Sequence, residues 1–371
     1  MRSQRATWAA TRQRPVAVEL ECKFDAADDR VWRSLAGGGL VDGYVVEPLG
    51  RQQLTSVYLD TDRWSLTRAG VALRLRREAG KPGGELTAKW AGSVLGAMHV
   101  RPEQTVLLRR WPRVPLRSLP EPIGSRLAGV TALRPLQPIL VTETERTRFL
   151  LYGPKARRRT PIAELALDVV CVRRPEGGPR HTFREVELEL RQGSKKEWKR
   201  LASLLKRRFA LRPNSQSKFE RGLHSLYQDV PTFVSAVRSR RSGKRLVWLL
   251  RSWQDIDSAV RSGAVARAPQ LAGVLEQVVQ SLISSGHDDV ARNLRSVLER
   301  ISSVAGALRR SRERHGRERA TRPPSARERR AERILARAMK SRSYVRAIVK
   351  LEEIVYGGRA PRLNTSDSET M

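Results

Sequence analysis

The chain has 371 residues, of which 40% are hydrophobic, and this is enough for two globular units. Lys and Arg total 72 against 38 Asp and Glu, so the formal net charge of +34 should attract polyanions such as nucleic acid, anionic membranes or phosphate chains. No apolar run is long enough to span a membrane, no secretory signal is recognisable, and Cys22 and Cys171 are too few for a disulfide framework, so the composition predicts a protein of the reducing cytoplasm.

The first strand signal of the chain is the segment VAVELECKFD, which follows residues 1–14, predicted to be a flexible basic arm. Successive side chains of a strand point to opposite faces, so Glu19, Glu21 and Lys23 share one face and the apolar residues between them share the other. Taken alone, this pattern is more typical of the solvated face of an edge strand, and it is the recurrence described below that favours a charged interior.

The same alternation recurs along residues 15–228. An apolar core that received so many charges would not fold, because each unpaired buried charge is strongly unfavourable. We therefore predict an α+β fold in which a closed, water-filled β barrel takes the charges inside and is covered by helices outside. The later residues that share the charged face are Arg74, Arg76, Lys89, Arg101, Glu103, Arg146, Arg148, Glu164, Asp168, Glu185, Glu187 and Glu189.

Helical spacing appears between the strands and then dominates the second half of the chain. The segments AADDRVWRSLAG and SKKEWKRLASLLKRRFA should pack on the exterior of the barrel. Residues 229–356 are predicted to form an all-α helical domain, and the polar residues 357–371 a disordered tail. The Arg-rich helices and connector of this domain would bind polyanions electrostatically or simply form a solvated charged face.

The charged face combines two kinds of chemistry in one cavity. Glu19 and Glu21 with Glu187 and Glu189 supply the hard oxygen ligands that Mg²⁺ or Mn²⁺ requires. Guanidinium and ammonium groups on the strands between them supply the donors that phosphate oxygens require. Carboxylates that can bind a metal and basic groups that can bind phosphate, in one cavity, indicate a metal-dependent phosphate hydrolase.

The segments ELECK, YLDTD, GVALRLR, TAK, HVRPE, ELALD, EVELEL and SQSKFERGLHSL occur in this order, and over residues 15–228 the chain resembles the CYTH superfamily, the triphosphate tunnel metalloenzymes. The HVRPE segment and the appended helices are similar to the bacterial inorganic triphosphatase branch. The helical part, with WLLRSWQDIDSAV as its nearest stretch, resembles a degenerate or truncated CHAD domain, a family that holds polyphosphate.

The resemblance implies an eight-stranded antiparallel tunnel that hydrolyses a terminal phosphoanhydride with a divalent metal. Glu19, Glu21, Lys23, Lys89 and Glu103 would be the catalytic residues. Thr105 stands where many relatives carry a second acid, which would weaken one metal site. By the same resemblance the metal ligands would be Glu19, Glu21, Glu103, Asp168, Glu187 and Glu189, and the phosphate-binding residues Lys23, Arg74, Arg76, Lys89, Arg101, Arg146, Arg148, Lys218 and Arg221.

Several functions stay open at this stage. The leading prediction is hydrolysis of inorganic triphosphate to diphosphate and phosphate. The sister activities of the superfamily, thiamine triphosphate hydrolysis and adenylate cyclisation, are alternatives, as is a polyphosphate-binding protein with little catalysis. No aromatic platform is interleaved with the Arg residues of the tail, which argues against single-stranded nucleic acid as a partner.

Overall fold

A computed structural model describes residues 10–13, 17–26, 29–36, 43–116, 118–132, 134–153, 160–227, 242–261, 265–315 and 326–356. The chain divides into two compact units, each built from separate stretches of sequence. The tunnel unit consists of Met1–Asp60, Gly70–Pro115 and Gln137–Phe233, and the helical unit of Thr61–Ala69, Leu116–Leu136 and Val234–Met371.

The tunnel unit is one continuous antiparallel sheet that closes on itself. Its strands are β1 (Ala10–Gln13), β2 (Ala17–Asp25), β3 (Val45–Asp60), β4 (Val71–Glu78), β5 (Gly84–Trp90), β6 (Ser93–Leu95), β7 (Met98–Leu108), β8 (Gln137–Tyr152), β9 (Ala163–Arg174), β10 (Gly177–Leu190) and β11 (Arg212–Pro213). Neighbours follow the order β7-β5-β4-β3-β8-β9-β10-β2, and β2 also pairs with β7. This last pairing closes an eight-stranded barrel and confirms the predicted fold class.

Strand register brings the predicted charged positions together inside the barrel. β2 pairs with β10 so that Glu21 lies opposite Glu189 and Lys23 lies opposite Glu187. The alternate residues of β2, such as Phe24, are buried on the outer side. The period of two in the sequence therefore becomes a charged inside and an apolar outside.

Helices cover the apolar outside of the barrel or build the second unit. The described helices are α1 (Asp29–Ala36), α2 (Ser65–Arg68), α3 (Ile123–Thr131), α4 (Lys195–Arg208), α5 (Lys218–Leu226), α6 (Ser242–Arg261), α7 (Ala268–Ser284), α8 (Asp288–His315), α9 (Ala326–Met339) and α10 (Arg342–Tyr356). Trp198, Leu201 and Leu205 of α4 pack into the outer apolar layer, and the Trp198 indole donates a hydrogen bond to the backbone carbonyl of Leu188.

The helical unit has an aliphatic core with two buried polar networks among the described residues, one around Asp257 and one in which Glu352 accepts hydrogen bonds from Gln254 at 3.3 Å and Arg134 at 3.1 Å. The core is formed mainly by Leu, Val, Ile and Ala side chains of α6 to α10. Within it, the Tyr344 hydroxyl donates to Asp257 at 2.7 Å and accepts from the Trp253 indole at 2.6 Å. Arg261 completes the network through an ion pair with Asp257 at 2.7 Å. None of the described helices combines the length and the hydropathy that crossing a lipid bilayer requires.

Two details differ from the linear division of the sequence. Ala10–Gln13, inside the predicted arm, forms β1 and pairs with β7. Thr61–Ala69 and Leu116–Leu136 lie between strands of the barrel in sequence but group with the helical unit in space. Residues 1–9 of the predicted arm and the predicted tail, 357–371, lie outside the described residues, and the resemblance of the helical unit to a CHAD domain stays a prediction.

Candidate active site in the tunnel

The barrel encloses a cavity of about 840 Å³, and the predicted site residues converge on it. Asp168 and Arg221 do not line it. The predicted residues that do are Glu19, Glu21, Lys23, Arg74, Arg76, Lys89, Arg101, Glu103, Arg146, Arg148, Glu187, Glu189 and Lys218.

One side of the cavity holds a compact cluster of acids and ammonium groups. The Lys218 ammonium lies 2.8 Å from Asp168, 2.5 Å from Glu185 and 2.7 Å from Glu187. The Lys23 ammonium contacts Glu187 as well, and lies 3.4 Å from Glu185. Glu185 lies two residues before Glu187 and therefore shares its inward face, but it was not among the predicted site residues.

The pKa values of the two glutamates of this cluster are shifted in opposite directions. Burial raises the pKa of Glu185 to about 7, although Lys218 and Lys23 oppose the rise. Burial would also raise the pKa of Glu187, but the charges of Lys218, Lys23 and Arg146 overcome it and hold that pKa well below the ordinary value. The pKa of Lys23 lies well above its ordinary value because the facing glutamates outweigh its desolvation. The cluster therefore keeps its ammonium groups charged.

Asp168 lies behind the cavity wall and holds cations in place. Its carboxylate is fully buried and receives two hydrogen bonds from Arg146, at 2.8 Å and 2.6 Å. Arg146 also donates to Glu187 at 2.5 Å. A bidentate pair of this kind fixes the plane of the guanidinium group. The structure thus shows Asp168 as a partner of cations, while its part in metal ligation stays a prediction.

On the β2–β5–β7 side, Lys89 joins two of the predicted acids. Its ammonium lies 2.5 Å from Glu19 and 3.3 Å from Glu103. The Thr105 hydroxyl, at the position of the missing acid, is hydrogen-bonded to the hydroxyl of Thr87 at 2.9 Å. At the position where the resemblance predicts a further carboxylate, this part of the wall therefore has a hydroxyl group.

The opposite wall carries Arg74 and Arg76, and Arg74 pairs with Glu85 at 3.4 Å. Arg76 donates to the Ser56 hydroxyl at 3.1 Å, and no carboxylate of the described residues forms an ion pair with it. Burial, together with the neighbouring charges of Arg74 and Arg146, lowers the pKa of Arg76 to about 10. The Nε of Arg74 is buried without a hydrogen-bond partner among the described residues. Buried donors without acceptors are strongly unfavourable unless an anion satisfies them.

One end of the cavity is open to solvent and lined by charges that the sequence prediction partly missed. Arg148 makes two hydrogen bonds to Glu164, at 2.7 Å and 2.9 Å. Arg191 bridges Glu164 and Glu189 and keeps 36% of its side chain exposed. Arg191 follows Glu189 by two positions, so the strand alternation contained a signal for it. Lys81 and Arg109 also line this end, but they lie outside the alternating charged segments of the sequence, and no sequence signal identified them.

The helix α5 lies at the other end and contributes Lys218 as its first residue. Ser217 and Glu220 form a capping box that fixes the start of the helix. Glu220 also pairs with the tunnel residue Arg101 at 3.3 Å. The ring of Phe219 stacks on Tyr58 with 4.8 Å between centroids.

Arg221, on the same helix, is directed elsewhere. Its guanidinium pairs with Asp25 at 2.7 Å and lies 4.0 Å from the centre of the Phe183 ring. It does not belong to the cavity lining.

The residues present fit a divalent cation of the hard class. The cavity wall carries the carboxylates of Glu19, Glu21, Glu187 and Glu189, and oxygen ligands of this kind suit Mg²⁺ or Mn²⁺. Oxygens of Asp168, Glu185 and Glu187 also lie within 4.8 Å of one another, but the Lys218 ammonium already neutralises that group of acids.

A family model described as the CYTH domain matches residues 17–223. Among solved structures, HpAC1 from Hippeastrum, assigned as an adenylyl cyclase with a dominant triphosphatase activity, is 16% identical over 56% of this chain and 97% of its own, with a TM-score of 0.41. PH1819 from Pyrococcus horikoshii is 18% identical over 56% and 99%, with a TM-score of 0.36. The Pct1 RNA triphosphatase of S. pombe is 11% identical over 55% and 87%, with a TM-score of 0.28. These scores are low, and the family match stands without them.

Proposed function

The chain belongs to the CYTH domain family, and we propose that its tunnel hydrolyses the terminal phosphoanhydride of inorganic triphosphate with the help of Mg²⁺ or Mn²⁺. In this reaction the oxygen of water forms a bond to the terminal phosphorus, and the bond from that phosphorus to the bridging oxygen breaks. Diphosphate and phosphate are the products. The proposal does not need a nucleophilic side chain.

The observation that carries the proposal is the pair of Arg74 and Arg76. A guanidinium that is buried with only a hydroxyl partner, beside another with an unsatisfied Nε, has donors available for an anion. Phosphate oxygens accept such donors in a bidentate manner. Arg74 has one carboxylate partner, Glu85 at 3.4 Å, whereas Arg76 has none among the described residues, so the pair has more donors than the protein itself satisfies.

The remaining cations extend this wall along the cavity. Lys89, Arg101 and Arg146 line the same space, each oriented by a carboxylate partner. Because these positions are fixed before a substrate arrives, the charges stabilise the transition state without reorganisation. Lys23 would contribute in the same way from β2.

Glu19, Glu21, Glu187 and Glu189, with Glu103 and Asp168 as further acids, would hold the divalent cation. When bound, that cation supplies charge neutralisation at the phosphate oxygens and favours water as a nucleophile. The carboxylates themselves place the lysine and arginine groups that bind the phosphates. Burial, helped by the nearby acids Glu19, Glu164 and Glu21, raises the pKa of Glu189 to about 7 although Arg191 opposes the rise.

The test is phosphate release by the purified full chain, measured side by side for triphosphate, ATP, thiamine triphosphate and long-chain polyphosphate. We expect triphosphate to be the best substrate with Mg²⁺ or Mn²⁺, and no release in the presence of a chelator. Absence of release from triphosphate with either metal would contradict the proposal. A preference for thiamine triphosphate, or cyclisation of ATP, would assign a sister activity instead.

A matched pair of variants separates catalysis from simple anion binding. Glu21→Gln removes a cavity carboxylate, whereas Glu145→Gln changes an exposed glutamate of β8. We expect Glu21→Gln to lose hydrolysis with the fold intact and Glu145→Gln to keep it. Equal anion binding by both variants, with no hydrolysis by the wild type, would favour a protein that only binds polyphosphate.

A further inference from the structure

The outer face of α4 carries a stripe of cations that the tunnel does not use. α4 buries Trp198, Leu201 and Leu205 against the barrel, so its opposite face points to solvent. The stripe repeats with the spacing of one helical face and extends for about 18 Å at 1.5 Å per residue. This α4 stripe consists of the exposed residues Lys195, Lys196, Lys199, Arg200, Lys206 and Arg207.

The α4 stripe retains its positive charge. Within the part of the chain that the structure describes, none of its six cations takes part in an ion pair. The sole acidic residue of α4, Glu197, is half-buried and lies outside the stripe. The positive potential of the stripe is therefore directed at solvent.

The stability of the helix does not explain this arrangement. Cations in the last turn of a helix are favourable, but Lys195 and Lys196 lie in the first turn, where the helix dipole disfavours positive charge. Lys195 and Lys199, and likewise Lys196 and Arg200, repel each other at a spacing of four residues. An anion bound along the stripe would reverse both unfavourable contributions.

We propose that the α4 stripe binds a chain of inorganic polyphosphate. The stripe has no exposed aromatic side chain on which nucleic acid bases could stack, and α4 exposes no large apolar side chain that could insert into a membrane. Its buried face is packed on the barrel, whereas a helix that reads duplex DNA projects into the major groove. A flexible linear chain of phosphates fits a straight, purely cationic surface.

The position of the stripe relates it to the cavity. α4 begins shortly after Arg191, which lines the open end of the tunnel and remains partly exposed. A phosphate chain whose terminus lies in the cavity can therefore continue along α4. This continuity rests on the proposed function, whereas binding to the stripe does not.

The experiment compares the full chain with a variant that carries Lys195→Gln, Lys196→Gln, Lys199→Gln and Arg200→Gln. Glutamine keeps the helix propensity high at these exposed positions. The control variant removes as many exposed cations from the helical unit, through Arg292→Gln, Arg295→Gln, Arg330→Gln and Arg333→Gln. Affinity for long-chain inorganic polyphosphate is measured at several KCl concentrations, and hydrolysis of triphosphate is measured in parallel.

We expect the α4 variant to bind polyphosphate at least about tenfold more weakly and the slope of log affinity against log salt to fall by about three to four. The control should bind close to wild type, and both variants should hydrolyse triphosphate normally. Wild-type affinity in the α4 variant, or an equal loss in the control, overturns the proposal. Equally tight, α4-dependent binding of duplex DNA or single-stranded RNA of matched charge also overturns it.

The two proposals fail in different ways. A wild-type chain that hydrolyses no triphosphate but shows α4-dependent polyphosphate binding overturns the proposed function and supports the stripe. A chain that hydrolyses triphosphate and binds polyphosphate independently of α4 supports the proposed function and overturns binding by the α4 stripe.

Discussion

The two units bury opposite kinds of side chain. The interior of the tunnel unit contains charged groups such as Lys23, Asp168 and Lys218, whereas the helical unit has an aliphatic core with small polar networks around Asp257 and Glu352. The tunnel unit is held together from its outer side, where apolar strand residues meet α4. Its inner side chains are thus available for chemistry, and in the helical unit the interior itself provides the stability.

The largest expected effect comes from removing a charge inside the tunnel. Lys218→Met takes an ammonium from between three carboxylates and leaves buried acids uncompensated. We expect the tunnel unit to lose about 3–5 kcal/mol of stability, measured by hydrogen exchange of the β9 and β10 amides. Lys81→Met, at a side chain that is 65% exposed, should change stability by less than about 1 kcal/mol. Similar losses of stability in both variants would mean that buried lysines of the tunnel contribute no more to stability than exposed ones.

Next in size is the effect of Arg76 on catalysis. Arg76→Ala leaves no carboxylate without its partner, so the fold should persist while kcat/KM for triphosphate falls about 10²–10³-fold. Arg77→Ala, the neighbouring outward position on β4, is the matched control and should retain activity. Unchanged kcat/KM in Arg76→Ala would exclude this guanidinium from the site.

The core of the helical unit is tested by two glycines in helices. Gly129→Ala would place a methyl group 2.3 Å from the Asp257 carboxylate, and we expect a loss of about 1–3 kcal/mol. Gly273→Ala meets nothing within 4 Å and should gain about 0.5–1 kcal/mol from helix propensity. Hydrogen exchange of the α6 and α7 amides measures both. A gain in Gly129→Ala would show that Asp257 can move aside.

The last effect concerns pH, and it is reduced by solvent screening because the Glu189 side chain is 31% exposed. The pKa of Glu189 is about 7 in the folded protein and 4.5 ordinarily, so its proton stabilises the fold below pH 4.5 and this contribution is lost as the pH rises through 7. Without metal, Glu189→Gln should therefore become more stable relative to wild type between pH 4.5 and 7. Urea denaturation at pH 5 and pH 8 measures the difference. The free energy of unfolding of Glu145→Gln should change with pH as it does in wild type. If Glu189→Gln showed the same pH dependence as wild type, the raised pKa of Glu189 would be refuted.

Strand alternation was sufficient to predict which faces of β2, β4, β9 and β10 are charged, because a period of two is a local property. It could not distinguish Asp168, buried behind Arg146, from Glu187, which lines the cavity, since both have inward parity. Arg221 illustrates the same limit on a helix. Its distance from the cavity depends on Asp25, a partner far away in sequence.

Spatial grouping of distant segments was also beyond the sequence. Leu116–Leu136 lies between two barrel strands in the chain, yet α3 packs with α6 in the helical unit. That packing depends on contacts such as the close approach of Gly129 to Asp257, which no periodicity records. The capping box at Ser217, by contrast, is local, because Ser217 and Glu220 have the S-x-x-E spacing that marks the start of a helix.

α5 contributes Ser217, Lys218 and Phe219 to one end of the cavity, and the Phe219 ring stacks on Tyr58 there. The partly exposed Arg191 lies at the opposite end. For the hydrolysis proposed above, a linear phosphate would therefore enter beside Arg191 with one terminus leading, so that cleavage would proceed from that terminus and the shortened product would leave at the same end.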